Sequence, residues 1–134
     1  QMAMATGLTT LKILKEENIA AKVAAQGEWL TGRLQELQKR YPVIGQVRGP
    51  GLMIGIEIVN PQLPQDAMGC YPADGELAGL LQKTCFEEGL ILERGGRHGC
   101  VLRLLPSLLI TNDELDIFLE KFERALLSAG VQPA

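Results

Sequence analysis

Four stretches of the chain repeat their apolar side chains every three or four residues, which is the spacing of one face of an α-helix. Asn18 separates the first two stretches, and Pro42 ends the second because a proline cannot continue a helix. Thr111 and Glu114 have the spacing of a capping box, in which each side chain satisfies a free backbone N–H at a helix start. The sequence therefore predicts helices over residues 1–17, 19–40, 75–88 and 112–128.

The last two of these helices carry apolar stripes that predict their buried faces. Asp74 is a predicted N-cap for the third helix, and Gly89 follows that helix at the usual left-handed stop. The predicted inner face of the third helix is Leu77, Leu80, Leu81, Thr84 and Cys85. That of the last helix is Leu115, Phe118, Leu119, Phe122, Ala125 and Leu126.

Shorter apolar stretches predict four β-strands. Gly49, Pro50 and Gly51 form a turn between the first two, and so short a connection implies an antiparallel hairpin. In the second strand, alternate residues make one uniformly apolar face, which consists of Leu52, Ile54, Ile56 and Ile58. The predicted strands cover residues 43–48, 52–59, 90–93 and 101–105, with a glycine-rich turn over 94–99.

The order of these elements is α-α-β-β-α-β-β-α, which defines an α+β fold. We expect a small mixed or antiparallel sheet of about four strands with helices packed on one face. The 134 residues are enough for one domain with its own core, or for a piece of a larger protein.

Composition narrows the class of function. The net charge is −3, and the thirteen lysines and arginines are scattered, which argues against a nucleic-acid surface. No apolar run approaches the roughly 20 residues of a membrane span. The three cysteines have neither CxxC nor metal-ligand spacing, so we interpret them as reduced thiols in a cytoplasmic protein.

Arg103 is the strongest candidate for a functional residue. It lies within an apolar run that predicts a buried strand, ended by Pro106. A buried arginine requires an anion, and Arg–carboxylate pairs are geometrically selective. That anion is either a protein carboxylate, Glu57 or Glu93, or the carboxylate of a ligand. From the residues alone, the chain is an α+β domain with one candidate anion site.

The other candidates are weaker. The sequence RGGRHG lacks the GxGxxG spacing and leads into a strand, so it does not predict a phosphate site. His98 is interpreted as a loop residue, and Arg94 and Arg97 as exposed loop cations without a specific role. We expect Glu57 to be solvated or paired with an arginine rather than catalytic.

Three ordered motifs carry a resemblance to a known family. They are VRGPGLMIGIEIV from Val47, CFEEGLILERGGRHG from Cys85 and VLRLLPSLLIT from Val101. Together they resemble the C-terminal portion of fold-type I, class III aminotransferases, which use pyridoxal phosphate (PLP). GGRHG followed by VLRLLPSL is most similar to the diaminobutyrate–2-oxoglutarate branch. Ser107 departs from the family, which often has a second proline there.

This resemblance implies a division of the chain and a role for one residue. Residues 1–17 are expected to be a linker helix from a large domain, and residues 18–134 a C-terminal small domain. Arg103 falls on the family's substrate-carboxylate arginine. The Schiff-base lysine and the other PLP-binding groups of the family lie in the large domain, which the resemblance would place before Gln1. We therefore expect this chain alone to bind no PLP and to be inactive.

The resemblance also implies a reaction and partners. The parent enzyme would move an amino group between a diamino acid, such as 2,4-diaminobutyrate, and 2-oxoglutarate or glutamate. Its partners would be the large PLP-binding domain, a homodimer mate and small amino and keto acids, with neither nucleic acid nor membrane. The alternative is a stand-alone α+β domain that binds a small carboxylate. A large exposed apolar patch on the first helix would favour the fragment of an aminotransferase.

Overall fold

The computed structural model describes all 134 residues and contains four α-helices. Their bounds are α1 Met2–Glu16, α2 Ile19–Arg40, α3 Gly75–Glu87 and α4 Asn112–Ser128. All four predicted helices are confirmed to within about one residue at each end, which is the usual uncertainty of a helix boundary. None of the four helices is long and apolar enough to span a membrane.

Four strands form a single antiparallel sheet in the order β1-β2-β4-β3. Their bounds are β1 Ile44–Arg48, β2 Ile54–Ile58, β3 Glu93–Gly95 and β4 Val101–Leu104. The predicted hairpin of β1 and β2 is confirmed. The α+β fold with about four strands is confirmed as well, and β2 and β4 form its centre.

The hydrophobic core lies between one face of this sheet and helices α2, α3 and α4. The predicted apolar face of the second strand is buried, with Ile54, Ile56 and Ile58 each at most 1% exposed. Leu102 and Leu104 of β4 extend the same layer. All six residues of the predicted α4 stripe are buried opposite them. The helices therefore cover one sheet face and leave the other face open.

Helix α1 takes no part in this core. None of its residues is buried, and among the helices and strands it packs mainly against α2. Its large apolar side chains are mostly exposed, from 45% for Ile13 to 85% for Met2. Helix α1 therefore presents exposed apolar side chains, a feature that favours the fragment of an aminotransferase.

The predicted caps of α3 and α4 are confirmed. Asp74 Oδ1 accepts a hydrogen bond from the Leu77 N–H at 2.9 Å. The capping box is complete, because Thr111 Oγ1 accepts from the Glu114 N–H while the Glu114 carboxylate accepts from the Thr111 N–H. Hydrogen bonds donated by the Thr111 N–H and hydroxyl to this carboxylate lower the pKa of Glu114.

Two sequence predictions about α3 and β3 are wrong in detail. Leu80 is 44% exposed instead of buried, and Ala78 is buried in its place, because Ala78, Leu81 and Cys85 form the inward stripe. The third strand covers residues 93–95 rather than 90–93, since its limits follow the pairing with β4. The turn after it is correspondingly shorter and contains a 3₁₀ segment, Arg97–Gly99.

Helix α2 contacts two loops that lead into and out of the sheet. A Cβ atom on Gly27 would overlap the carbonyl group of Gly51, so the helix packs directly on the turn before β2. The neighbouring Gln26 is buried, and its Nε2 donates at 3.0 Å both to the Ile110 carbonyl and to Asn112 Oδ1. One turn of α2 therefore sets the positions of the turn before β2 and the start of α4.

This packing predicts opposite effects of the same substitution at two glycines of α2. Gly27→Ala forces the helix away from the backbone of Gly51 and should lower the free energy of unfolding by about 1–3 kcal/mol. Gly32→Ala is the matched control, because a Cβ there meets nothing within 4 Å. It should raise the unfolding free energy by roughly 0.5–1 kcal/mol through helix propensity. Urea unfolding of both variants tests this, and equal effects would contradict it.

Candidate functional site

A row of four residues crosses the open face of the sheet. The strand register aligns Arg48 of β1 with Gly55 of β2, Gly55 with Arg103 of β4, and Arg103 with Glu93 of β3. Because Gly55 has no side chain, a gap lies between the two arginines. The resulting cavity of about 400 Å³ is lined by Arg48, Gly49, Pro50, Met53, Ile54, Gly55, Gly96, Val101, Arg103 and Leu105.

Arg103 lies on the open side of the strand and not within the core. Its side chain is 44% exposed, so the prediction of a buried arginine is wrong. Leu102 and Leu104 point into the core, and the two-residue alternation of a strand directs the residue between them outwards. Leu105, predicted to be the last residue of the strand, lies outside it and is 57% exposed.

The structure selects between the two protein carboxylates considered as partners of Arg103. Glu57 pairs instead with Arg48, at 2.9 Å, which confirms that it is paired with an arginine. Glu93 contacts Arg103, with its two oxygens 3.4 and 3.5 Å from Nη1. Charge-assisted N–H···O bonds are usually about 2.7–2.9 Å long, so this contact is loose. Most donors of the Arg103 guanidinium therefore have no protein partner.

Gly95 sets the position of the Arg103 side chain, and sequence reasoning missed this residue. A Cβ atom on Gly95 would lie 3.0 Å from both Cζ and Nη2 of Arg103, so the guanidinium rests against the glycine backbone. The pairing of Gly95 with Val101 brings the two together. Only the register between β3 and β4 shows that Gly95 lies beside Arg103, and this register cannot be read from a single sequence.

The turn between β1 and β2 forms one rim of the cavity. Gly49 and Gly51 have positive φ angles, 140° and 53°, which residues other than glycine rarely adopt. A Cβ on Gly49 would also overlap the carbonyl oxygen of Met53. The two turn glycines therefore shape the backbone of the rim and contribute no reactive group.

The remaining candidates lie away from this cavity. Arg94 Nη1 donates to the carbonyl oxygens of Gly75 and Gly99, at 3.1 and 3.4 Å, and so links the start of α3 to the glycine-rich turn. His98 and Arg97 are exposed in that turn. Burial raises the pKa of the Cys85 thiol to about 12, which keeps it protonated and unreactive.

Solved structures of aminotransferases and related enzymes share this fold. The chain superposes on a phospholyase from Arthrobacter, determined in complex with phosphoethanolamine, with a TM-score of 0.80 and 31% identity. The match covers 92% of the chain and 28% of the phospholyase. An aminotransferase from Bacillus anthracis matches with a TM-score of 0.77 and 31% identity, over 90% of the chain and 27% of that protein. The sheet and the helices packed on it thus form an aminotransferase-type fold.

The class III aminotransferase family model matches residues 1–126, and this chain belongs to that family. A diaminobutyrate–2-oxoglutarate aminotransferase from Haemophilus influenzae is 49% identical over 129 residues, which are 96% of the chain and 28% of that protein. The enzyme of the same name from Rhizobium meliloti is 45% identical over 87% of the chain and 25% of its own length. The chain spans about a quarter of the length of these relatives.

Class III aminotransferases depend on PLP, which such enzymes bind covalently through a lysine. No lysine is among the residues that line the cavity around Arg103. Lys12 and Lys83 contact glutamates of their own helices, and none of the chain's six lysines lies in the sheet. No lysine of this chain is therefore placed beside Arg103.

The exposure of Arg103 predicts that folding does not depend on it. Replacing Arg103 with Met should change the free energy of unfolding by less than about 1 kcal/mol, because the pair with Glu93 is exposed and long. Arg40→Met is the comparison, since Arg40 makes two hydrogen bonds to Glu123, which also accepts one from Tyr41. Urea unfolding should show a larger loss for Arg40→Met.

The comparison also has a pH dependence. Arg40 lowers the pKa of Glu123 in the folded protein. The pair therefore stabilises the fold above the ordinary glutamate pKa, and this stabilisation is lost as the pH falls and Glu123 becomes protonated. The loss caused by Arg40→Met should therefore shrink in acid. A large loss for Arg103→Met at neutral pH would instead make Arg103 a structural residue.

Proposed function

We propose that this chain is the C-terminal part of a PLP-dependent aminotransferase that moves an amino group between 2,4-diaminobutyrate and the pair 2-oxoglutarate and glutamate. Membership of the class III family and the names of the relatives from Haemophilus influenzae and Rhizobium meliloti support this reaction. In this proposal residues 18–134 form the small domain and residues 1–17 the helix that links it to a large domain.

Arg103 binds the substrate carboxylate in this proposal. The observation that carries it is the guanidinium on the open sheet face, held against Gly95 and only loosely contacted by Glu93. A guanidinium binds a carboxylate through two parallel N–H···O bonds, which fix orientation as well as position. Arg103 remains a fixed cation, so its contribution is to hold the substrate and not to move a proton.

PLP would be held by the large domain and would supply the electron sink for the reaction. The present chain has no lysine at the Arg103 cavity, so the proposal assigns it substrate binding alone. It also follows that this chain by itself has no transaminase activity.

The exposed apolar surface supports a large domain as the partner of this chain. Alongside α1, Leu108 and Leu109 are 44% and 67% exposed in the segment that follows Arg103. The two segments share a cavity of about 320 Å³, lined by Thr10, Ile13, Leu14, Ile19, Ser107, Leu108 and Leu109. Exposed apolar patches of this kind mark interfaces. We propose that the large domain of the same chain and a homodimer mate cover this surface.

One observation favours the alternative, a stand-alone domain that binds a small carboxylate. The core is formed without any residue of α1, so residues 19–134 bury a core of their own. In this alternative the apolar side chains of α1 remain exposed to water, and their exposure is unexplained. The aminotransferase proposal accounts for both features.

The carboxylate role is tested in the whole protein, including the segments that precede this chain. Arg103→Ala should lower kcat/KM for 2,4-diaminobutyrate with 2-oxoglutarate by about 100-fold or more, because hydrogen bonds to charged groups contribute roughly 1.5–3 kcal/mol each. The PLP content, measured from the cofactor's absorbance, should not change. Arg97→Ala is the matched control and should retain full activity, since Arg97 is exposed and does not line the cavity.

Two results would contradict this role. Loss of PLP together with activity would make Arg103 structural. A fully active Arg103→Ala variant would place the carboxylate elsewhere in the protein.

The proposed roles of the two domains, substrate binding by this chain and PLP binding by the large domain, are tested by comparing the 134-residue chain with the whole protein. The chain alone should form no glutamate from 2,4-diaminobutyrate, 2-oxoglutarate and added PLP, because no lysine reaches its carboxylate site. The whole protein should form it. Activity of the isolated chain would refute the proposal, and carboxylate binding by an isolated chain whose whole protein binds no PLP would support the stand-alone domain.

A further inference from the structure

The glycine-rich turn after β3 packs directly on the first turn of α3. A Cβ atom on Gly75, the first residue of α3, would overlap the carbonyl oxygen of His98. His98 itself has a φ angle of 60°, which residues other than glycine rarely adopt. Such a conformation persists only where the surrounding structure holds it. The shape of the turn therefore depends on contacts that fix it against α3.

Arg94 makes these contacts from the covered side of the sheet. Its direct partner on β4 is the buried Leu102, so its side chain lies on the side of the helices, opposite to that of Arg103. There its Nη1 donates to the carbonyl oxygens of Gly75 and Gly99, at 3.1 and 3.4 Å. One guanidinium thus joins the start of α3 to the end of the turn.

Two glycines leave the space in which this guanidinium lies. A Cβ atom on Gly99 would lie 3.1 Å from Nη1 of Arg94, and one on Gly79 would lie 3.5 Å from the same atom. Gly79 belongs to α3, and the buried Ala78 and Leu81 hold that helix in the core. Arg94 therefore connects the turn to the core through α3, although the residue itself is exposed.

The segment that Arg94 fixes also supports the candidate carboxylate site. Gly95 follows Arg94 and carries the Arg103 guanidinium against its backbone, and Gly96 lines the cavity. A shift of this backbone would move the support of the guanidinium with it. Misplacement of a binding group by about 1 Å can reduce the rate of an enzyme by as much as about 100-fold.

We propose that Arg94 is a positioning residue for the carboxylate site. It contacts no substrate. It holds the glycine-rich turn on α3, and the turn in turn holds the Arg103 guanidinium in place on the opposite face of the sheet. This inference rests on the proposed function, and 2-oxoglutarate is the carboxylate used to test it.

The test uses the whole protein and compares Arg94→Met with the wild type. Methionine donates no hydrogen bond, so KM for 2-oxoglutarate should rise about 10-fold while kcat stays within about 2-fold. The PLP content should not change. Arg94→Lys, whose ammonium group keeps three donors, should recover part of the loss. Arg97→Met is the matched control and should keep the wild-type KM, since Arg97 is an exposed arginine of the same turn that does not line the cavity.

Hydrogen exchange of the same variants separates the role in the turn from a general loss of stability. The amides of residues 95–99 should exchange at least about 10-fold faster in Arg94→Met, while those of α2 and α4 keep their wild-type rates. A higher KM with unchanged exchange of the turn would overturn the inference, because Arg94 would then act by another route.

Three further outcomes are distinguishable. An unchanged KM in an active enzyme would overturn this inference and leave the proposed function standing. Loss of PLP together with faster exchange along the whole chain would also overturn it, by making Arg94 a residue that folding requires. If the wild-type protein transfers no amino group to 2-oxoglutarate, the proposed function itself fails, and this inference fails with it.

Discussion

The alternation of side chains along β2 and β4 is the constraint on which the rest of the structure depends. Ile54, Ile56 and Ile58 must face the helices, and so must Leu102 and Leu104. This requirement sends Gly55 and Arg103 to the opposite face as direct neighbours. A register slip of one residue would expose the isoleucines and bury the arginine. The same burial that stabilises the fold therefore fixes where the cation is presented.

The two sheet faces divide stability from binding. The covered face consists almost entirely of aliphatic side chains, and the burial of each contributes about 1.5–3 kcal/mol. The open face carries two arginines, two glutamates and two glycines, and its exposed ion pairs contribute little to folding. Most hydrogen-bond donors of Arg103 have no partner within the fold, so they are available to a ligand.

The helices were predictable because their patterns are long and repeat. Helix α4 has seventeen residues, and its capping box and its apolar stripe both indicate the same helix. The hairpin of β1 and β2 was predictable because the predicted connection of three residues, like the five residues 49–53 that the structure shows, is too short for the crossover between parallel strands. Strand β3 was misplaced because a three-residue strand has no measurable period, and its limits come from hydrogen bonds to β4.

The site was only partly predictable from the sequence, for a related reason. Arg103 stands out as a cation within an apolar run, but the run cannot tell whether one or both faces of its strand are covered. That depends on where the helices pack. The Arg103 guanidinium rests against Gly95 and lies beside Glu93. Both contacts depend on the pairing of β3 with β4, which a turn separates. No local motif records these contacts.

The open cavity gives Arg103 a ligand site whose strength depends on its cover. A contact between an exposed arginine and a carboxylate contributes only about 0–1 kcal/mol in water, while the same contact shielded from water is several times stronger. The exposed segment of Leu105, Leu108 and Leu109 runs from the cavity to the apolar side chains of α1. A domain that covers α1 would therefore extend over the cavity as well. In the proposed enzyme, assembly of the domains and tight binding of the substrate carboxylate are then consequences of the same burial.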